Sequence, residues 1–253
     1  MIIAIDIGNT DVVVGFYDSK WRHLFRVASN LEMAPAEYEK RLRAFFLEEE
    51  VDLEGVSGVI LSSVVPDLTT VIQSVFEQLY DGNIVMVDGE LLSKLSLGSI
   101  NPYELGSDLA ANAVGAFDLY KQSAIVVDFG TALTFTSVDD QGKVLGVAIS
   151  PGVKTAMKSL SSNTARLPEI PLEIPKKAIG NNTVESMQSG IMQGYVGLVR
   201  HMVAQIELEM GTSPKVIATG GLSFIFEPLH DLFDDVEVNL TLNGLRVILS
   251  RLN

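Results

Sequence analysis

Apolar residues fall in short runs broken by turn residues, then in longer stretches at helical spacing. Ile2–Ile7, Val12–Tyr17 and Leu24–Ala28 each read as a strand, rich in β-branched and aromatic residues and bounded by Gly, Asn, Asp or Ser. Pro35-Ala36-Glu37 starts a helix running to about Glu49, with Tyr38, Leu42, Phe45 and Phe46 on its apolar face. Val56–Ser62 is a buried strand. Pro66-Asp67 opens a second helix, with Leu68, Val71, Ile72, Val75, Phe76 and Leu79 at helical spacing, and Asn83–Val87 is the next strand.

The order βββαβαβ is that of a ribonuclease H-like half-domain, so the expected fold class is α/β. An Ala-rich helix from Asp108 to about Tyr120 leads to a second strand-turn-strand at Ala124–Val138, and Val144–Ile149 would be that unit's third strand. This gives two ribonuclease H-like domains, residues 1–118 and 119–253. Ser159–Lys177 carries spaced prolines and little periodicity, and reads as a partly ordered loop. Asn182-Thr183-Val184-Glu185 is a helix cap with an acid three residues on. The helix behind it runs to Met210 and closes at Gly211. Gly190, Gly194 and Gly197 lie along it at a cost in stability. Close packing against another helix, across a dimer, would be the return. Lys215–Thr219 is a last internal strand, followed by Gly220-Gly221.

One pattern occurs twice. Ile5-Asp6-Ile7-Gly8-Asn9-Thr10 stands near the start and Val127-Asp128-Phe129-Gly130-Thr131-Ala132 near the middle. One offset relates Asp6 to Asp128 and Gly8 to Gly130. On the same offset Val12-Val13-Val14 answers Thr134-Phe135-Thr136, and Asp18 answers Asp140. A tight turn with an acid and a glycine suits phosphate binding. The glycine lets backbone N–H groups approach an anion, the hydroxyl adds a donor, and the carboxylate can hold a cation that bridges phosphates. Either copy alone also reads as an ordinary hairpin turn. The shared neighbourhood favours a duplicated nucleotide clamp.

Composition narrows the choice. The chain has 253 residues, 47% of them apolar, enough for two modest cores. Its net charge of −14 argues against nucleic acid as a partner. Without cysteine there is no disulfide, thiolate nucleophile or Cys-ligated zinc. The N-terminus opens directly on a strand with no signal-peptide pattern, and no uninterrupted apolar run reaches about 18 residues. A cytoplasmic protein without membrane spans is expected. His23, His201 and His230 are scattered without ligand spacing and take structural or surface roles. Lys154 and Lys158 read as a solvated face, with phosphate binding as the alternative.

The motifs, in order, are Asp6-Ile7-Gly8-Asn9-Thr10, Ser62-Ser63-Val64-Val65-Pro66, Asn101-Pro102-Tyr103-Glu104-Leu105-Gly106-Ser107-Asp108, Asp128-Phe129-Gly130-Thr131-Ala132, Ser150-Pro151-Gly152, Thr164-Ala165-Arg166-Leu167-Pro168, Asn182-Thr183-Val184-Glu185-Ser186-Met187 and Thr219-Gly220-Gly221. Over essentially the whole chain they resemble the type III pantothenate kinase family, of the acetate and sugar kinase/Hsp70/actin superfamily. The resemblance implies ATP-dependent phosphorylation of pantothenate to 4'-phosphopantothenate, the first step of coenzyme A biosynthesis. It also implies a homodimer, Mg2+ with the ATP, and a monovalent cation, K+ or NH4+. It places ATP at Asp6, Gly8, Asn9, Thr10, Asp11, Val12 and Val13, at Thr131, and at Gly220 and Gly221. Tyr103, Gly106, Ser107, Asp108, Leu109 and Thr183 fall on the acceptor segments, with Asp108 as catalytic base. Asp128 matches the monovalent-cation ligand, and Asp6 an indirect ligand of Mg2+. Read locally, Ser107-Asp108 before an Ala-rich helix is also a good N-cap.

Two positions depart from the family pattern. The family's Arg after the catalytic Asp is Leu109 here, and its Thr-Phe-Asp run reads Thr134-Phe135-Thr136. A leucine offers no guanidinium to a small anionic acceptor. Two classes of function follow: an active kinase for pantothenate or a related small hydroxy acid, or a non-catalytic or barely active relative that keeps the fold and nucleotide site as a regulatory or binding protein.

Overall fold

The computed structural model describes residues 1–98 and 100–252. The chain divides into two compact units. One is Met1–Asp118 together with the C-terminal segment from Leu240; the other is Leu119–Asn239.

In the first unit the strands are β1 (Ile2–Ile7), β2 (Asp11–Asp18), β3 (Lys20–Ala28), β4 (Gly58–Ser63) and β5 (Ile84–Met86), in sheet order β3-β2-β1-β4-β5. β1 pairs antiparallel with β2 and parallel with β4. Helices α1 (Pro35–Glu48) and α2 (Pro66–Leu79) both start on proline, whose missing N–H costs nothing in the first turn. Tyr38, Leu42, Leu68, Ile72, Val75 and Phe76 from these helices form one core with Ile3, Ile5, Ile7, Val59 and Leu61. A short helix α3 (Gly89–Leu95), absent from the sequence expectation, is capped by Asp88, whose Oδ1 accepts from the Leu91 amide at 2.8 Å.

Helix α4 spans Ser107–Tyr120. The second unit repeats the first sheet's plan with β6 (Ala124–Phe129), β7 (Ala132–Val138), β8 (Val144–Pro151), β9 (Lys215–Thr219) and β10 (Asp235–Val236), in order β10-β9-β6-β7-β8. Again the first three strands form an antiparallel meander, and the last two run parallel to the central strand. Helix α5 (Val153–Asn163) follows β8. Then comes one long helical run: α6 (Thr183–Gln188), a π turn (Ser189–Gln193) and α7 (Gly194–Met210), closed by Gly211 at φ +63°.

The stretch expected as a loop at Ser159–Lys177 begins as helix, since α5 continues to Asn163. The rest has no regular ladder, because Pro168, Pro171 and Pro175 interrupt it. It is nonetheless anchored. Gln188 Nε2 donates to the Pro171 carbonyl at 3.1 Å, Gln193 Nε2 to Pro175 at 3.2 Å and Ser189 Oγ to Ala178 at 2.5 Å. The C-terminal helix α8 (Leu240–Ser250) packs on β1 and β4 of the first unit, which corrects the expected second domain of residues 119–253. It crosses α4 so closely that a Cβ on Gly244 would overlap the Ala111 carbonyl, so only glycine fits there.

Candidate functional site

In the first unit, Gly8-Asn9-Thr10 join β1 to β2. The Gly8 amide donates to the Asp11 carbonyl at 2.9 Å, closing the turn. Ser29, at the end of β3, pins it twice: its Oγ donates to the Gly8 carbonyl at 2.5 Å and its amide to Thr10 at 2.8 Å. Asn9 and Thr10 are exposed. Val12 and Val14 are buried in the core, so at Val12 only the backbone is offered to a ligand. Asp11 is held by Arg26 Nη1 at 3.0 Å.

Asp6 and Ser62 are register partners across β1 and β4. Ser62 Oγ donates to Ser107 Oγ at 2.9 Å, the Ser63 amide donates to the same oxygen at 3.1 Å, and Ser107 Oγ donates to the Ser63 carbonyl at 3.1 Å. The start of α4 is thereby bolted to the strand beside the first turn. This explains the Ser62-Ser63 motif, which composition and periodicity leave without a role. Ser107's hydroxyl is buried and fully engaged, so its contribution is to hold the next residue in place.

That residue is Asp108. Its Oδ1 accepts from the Leu109 amide at 2.8 Å. Gly106 leaves room for the carboxylate to fold back, since a Cβ there would lie 2.6 Å from Oδ1. Burial raises its pKa above the ordinary carboxylate value, and the Leu109 amide and its own amide oppose that only in part. The N-cap alternative is only partly met. Ser107 bonds to β4, and Asp108 takes the amide of its immediate neighbour in place of one two or three residues on. Leu109 is buried. Tyr103 is 72% exposed and lies over Gly89 at the start of α3.

The second turn is one residue tighter. Gly130-Thr131 join β6 to β7, and the Gly130 amide donates to the Ala132 carbonyl at 3.0 Å. Asp6 pairs with Val13, but Asp128 pairs with Thr134. Val12 and Val14 therefore answer Leu133 and Phe135, all four buried in their cores, and the constant offset breaks just after the glycine. Gly152 backs this turn. Its amide donates to the Thr131 carbonyl at 3.0 Å, Thr155 Oγ1 donates to the same carbonyl at 2.7 Å, and a Cβ on Gly152 would overlap the Gly130 and Thr131 carbonyls. Thr131 itself is exposed.

Asp128 stands between Thr134 on β7 and Thr219 on β9. The Thr134 and Thr136 hydroxyls are buried without a hydrogen-bond partner. Gly220, at φ +88°, presses against Asp128 and the Phe129 backbone, where any side chain would collide. Gly221 opens to free space. Thr183 lies elsewhere in this unit. It starts α6, behind the Asn182 cap (Oδ1 to the Glu185 amide, 2.9 Å), and lines a cavity of about 510 Å³ with Leu160, Leu167, Met187 and Ile191. The reciprocal half of that cap is shifted by one: Glu185 Oε2 accepts from the Asn181 amide at 2.9 Å. Among the described residues no three His, Asp, Glu or Cys side chains converge as a metal site. Nor is any helix long and apolar enough to cross a membrane.

The family profile of type III pantothenate kinase matches residues 2–205. The chain belongs to the type III pantothenate kinase family. A type III pantothenate kinase of Moorella thermoacetica is 38% identical over 252 residues, covering 99% of each chain. Among solved structures, a Baf family protein of Campylobacter jejuni aligns at TM-score 0.60 with 18% identity over 98% of each chain. An inorganic polyphosphate/ATP-glucomannokinase of Arthrobacter aligns at TM-score 0.51 with 16% identity over 100% of this chain and 99% of that one. At those identities they establish the fold: paired ribonuclease H-like domains of the sugar kinase, Hsp70 and actin type. In this chain the Asp6–Thr10 and Asp128–Thr131 motifs sit at strand ends, and Leu109, next to Asp108, is buried.

Proposed function

We propose that this protein transfers the γ-phosphoryl group of ATP to the primary hydroxyl of pantothenate, giving 4'-phosphopantothenate for coenzyme A biosynthesis in the cytoplasm. Family membership over nearly the whole chain supports the reaction. The structural observation that carries the site is the Ser62–Ser63–Ser107 network, which fixes Asp108 beside the strand that bears Asp6. Phosphoryl transfer asks for positioning, charge stabilisation and a proton acceptor. The first turn, within Asp6 to Val13, and the second, at Gly130-Thr131, are each closed by their glycine amide and present the backbone and hydroxyls of Asn9, Thr10 and Thr131 to phosphate oxygens. Gly220 and Gly221 leave room for the adenosine. Asp108 accepts the hydroxyl proton, and its raised pKa makes it a better base than an ordinary carboxylate.

Tyr103, Gly106, Leu109 and Thr183 contact the acceptor, with Ser107 anchoring the segment. Asp6 and Asp128 with their neighbouring hydroxyl and carbonyl oxygens form the all-oxygen donor sets that hard cations take. Mg2+ would be held with ATP near Asp6 through water. K+ or NH4+ would be held by Asp128, where the unpartnered Thr134 hydroxyl is a second donor. Bound there, these ions spread the charge of the transferring group.

A homodimer is supported by one face of the long helix. Gly190, Gly194 and Gly197 are exposed, and a Cβ on any of them would meet nothing in this chain. His201, Ala204 and Leu208 continue the stripe at alternating steps of three and four, the spacing of a helix–helix seam. Nothing in the comparisons favours the regulatory reading or another acceptor. The test is a coupled ADP-release assay with ATP, magnesium, potassium and pantothenate. Pantothenate-dependent release is expected, and its absence from well-folded protein refutes the reading.

A further inference from the structure

Tyr195 joins the long helix to the second turn by two routes. The π turn at Ser189–Gln193 ends just before it, and such turns shift a helix's face by a residue. Gly194 and Gly197 face outward while Tyr195 is buried. Its Oη donates to the Pro151 carbonyl at 2.6 Å. Pro151 ends β8, and the next residue, Gly152, donates to the Thr131 carbonyl. The ring takes the second route. Tyr195 stacks on Phe226 at 6.5 Å, and Phe226 stacks on Phe129 at 5.1 Å, immediately before Gly130. Burial pushes the phenol pKa up, so the hydroxyl remains a donor at neutral pH.

We propose that Tyr195 is a positioning residue for the second phosphate turn. It fixes the Pro151–Gly152 strand end against the Thr131 carbonyl and so sets the direction of the Thr131 backbone and hydroxyl, while the Gly130 amide closes the turn. This rests on the phosphate-binding role given to that turn. Preorganised donors lose their advantage when displaced by fractions of an ångström, because the ligand must then spend binding energy to realign them. The fold itself has little to lose from the hydroxyl. Pro151 is exposed, so water can take over its carbonyl in Tyr195→Phe. What disappears is the fixed distance.

The experiment compares wild type, Tyr195→Phe, Thr155→Val and Val203→Ala. Magnesium-ATP affinity is measured by calorimetry, KM values by ADP release, and unfolding by thermal scan. Tyr195→Phe is expected to weaken ATP about fivefold or more, the equivalent of one hydrogen bond. Its pantothenate KM should stay within about twofold of wild type, on the same reasoning that hydroxyl loss acts on the nucleotide side. Thr155→Val removes the side-chain donor to the Thr131 carbonyl, leaving only the Gly152 amide on it, and should share this signature. Val203→Ala empties a fully buried position on the same helix. It should lower the unfolding temperature at least as far as Tyr195→Phe and leave ATP affinity unchanged. Unchanged ATP affinity in Tyr195→Phe overturns the proposal, as does equal weakening in Val203→Ala. Wild type that binds ATP without phosphorylating pantothenate defeats the acceptor reading alone, because ATP binding still judges Tyr195. Wild type that binds no ATP overturns the phosphate turn and Tyr195's role with it.

Discussion

Replacing Asp108 by Asn separates chemistry from architecture. The two side chains have nearly the same shape, and Asn Oδ1 can still accept the Leu109 amide that Asp108 Oδ1 takes at 2.8 Å. Asn cannot take up the hydroxyl proton. General-base catalysis contributes about 10²–10⁴ in rate, so kcat should fall by at least about 10². That corresponds to roughly 2.7 kcal/mol of barrier or more. ATP affinity should change little, because the phosphate-binding turns are untouched. Stability has a definite sign. Burial raises the folded-state pKa of Asp108, so the fold binds this proton more tightly than the unfolded chain does. Ionisation then costs stability as pH rises from about 3.9 through the folded pKa. At pH 7 wild type carries that penalty and Asn does not. The unfolding temperature of Asp108→Asn at pH 7 should therefore equal or exceed that of wild type, with the difference closing below about pH 4. The acid limb of wild-type kcat/KM should lie above the ordinary carboxylate range. Turnover within about threefold of wild type would falsify the base role. Intact turnover with a loss of several degrees at pH 7 would make Asp108 a structural cap.

Three further outcomes are expected. Replacing sodium by potassium should raise activity, and Asp128→Ala should abolish the difference; equal rates in both salts for wild type refute the cation site. Leu109→Arg should lower the pantothenate KM about tenfold, the value of a hydrogen bond to a charged group, while the buried position lowers its unfolding temperature; a mutant no better than wild type shows that no guanidinium is missing. Sedimentation should give a species near twice 27.4 kDa, and Gly194→Glu, on the exposed stripe, should give monomer; a wild-type monomer at micromolar concentration contradicts the dimer.

What the sequence determined by itself is local. Pro35 and Pro66 mark helix starts because proline's fixed φ and absent N–H suit the first turn. The apolar run of β1 and the spacing along α2 are written in consecutive residues, and so are the Asp-x-Gly turns and the Asn182 cap. Family resemblance, carried by the order of such motifs, gave the reaction. Helix α3 was legible in principle from Asp88 before Gly89 and Leu91, but it is too short for periodicity to declare it.

The tertiary structure decided what depends on which faces meet. The second turn is one residue tighter than the first, because burial of Leu133 and Phe135 sets the returning strand's register, and a matching offset in sequence does not reveal a deletion inside a turn. Helix α8 belongs with the first unit because Gly244 allows its backbone onto Ala111, a fit that exists only once α4 is in place. Ser107 reads as a helix cap until β4 arrives to take both its hydrogen-bonding capacities. The Tyr195 hydroxyl meets the Pro151 carbonyl, 44 residues away in the chain, only once the long helix packs beside the end of β8. Each is a contact between residues far apart in the chain. Its geometry is fixed by the packing of whole elements, and no pattern in the neighbouring residues encodes it.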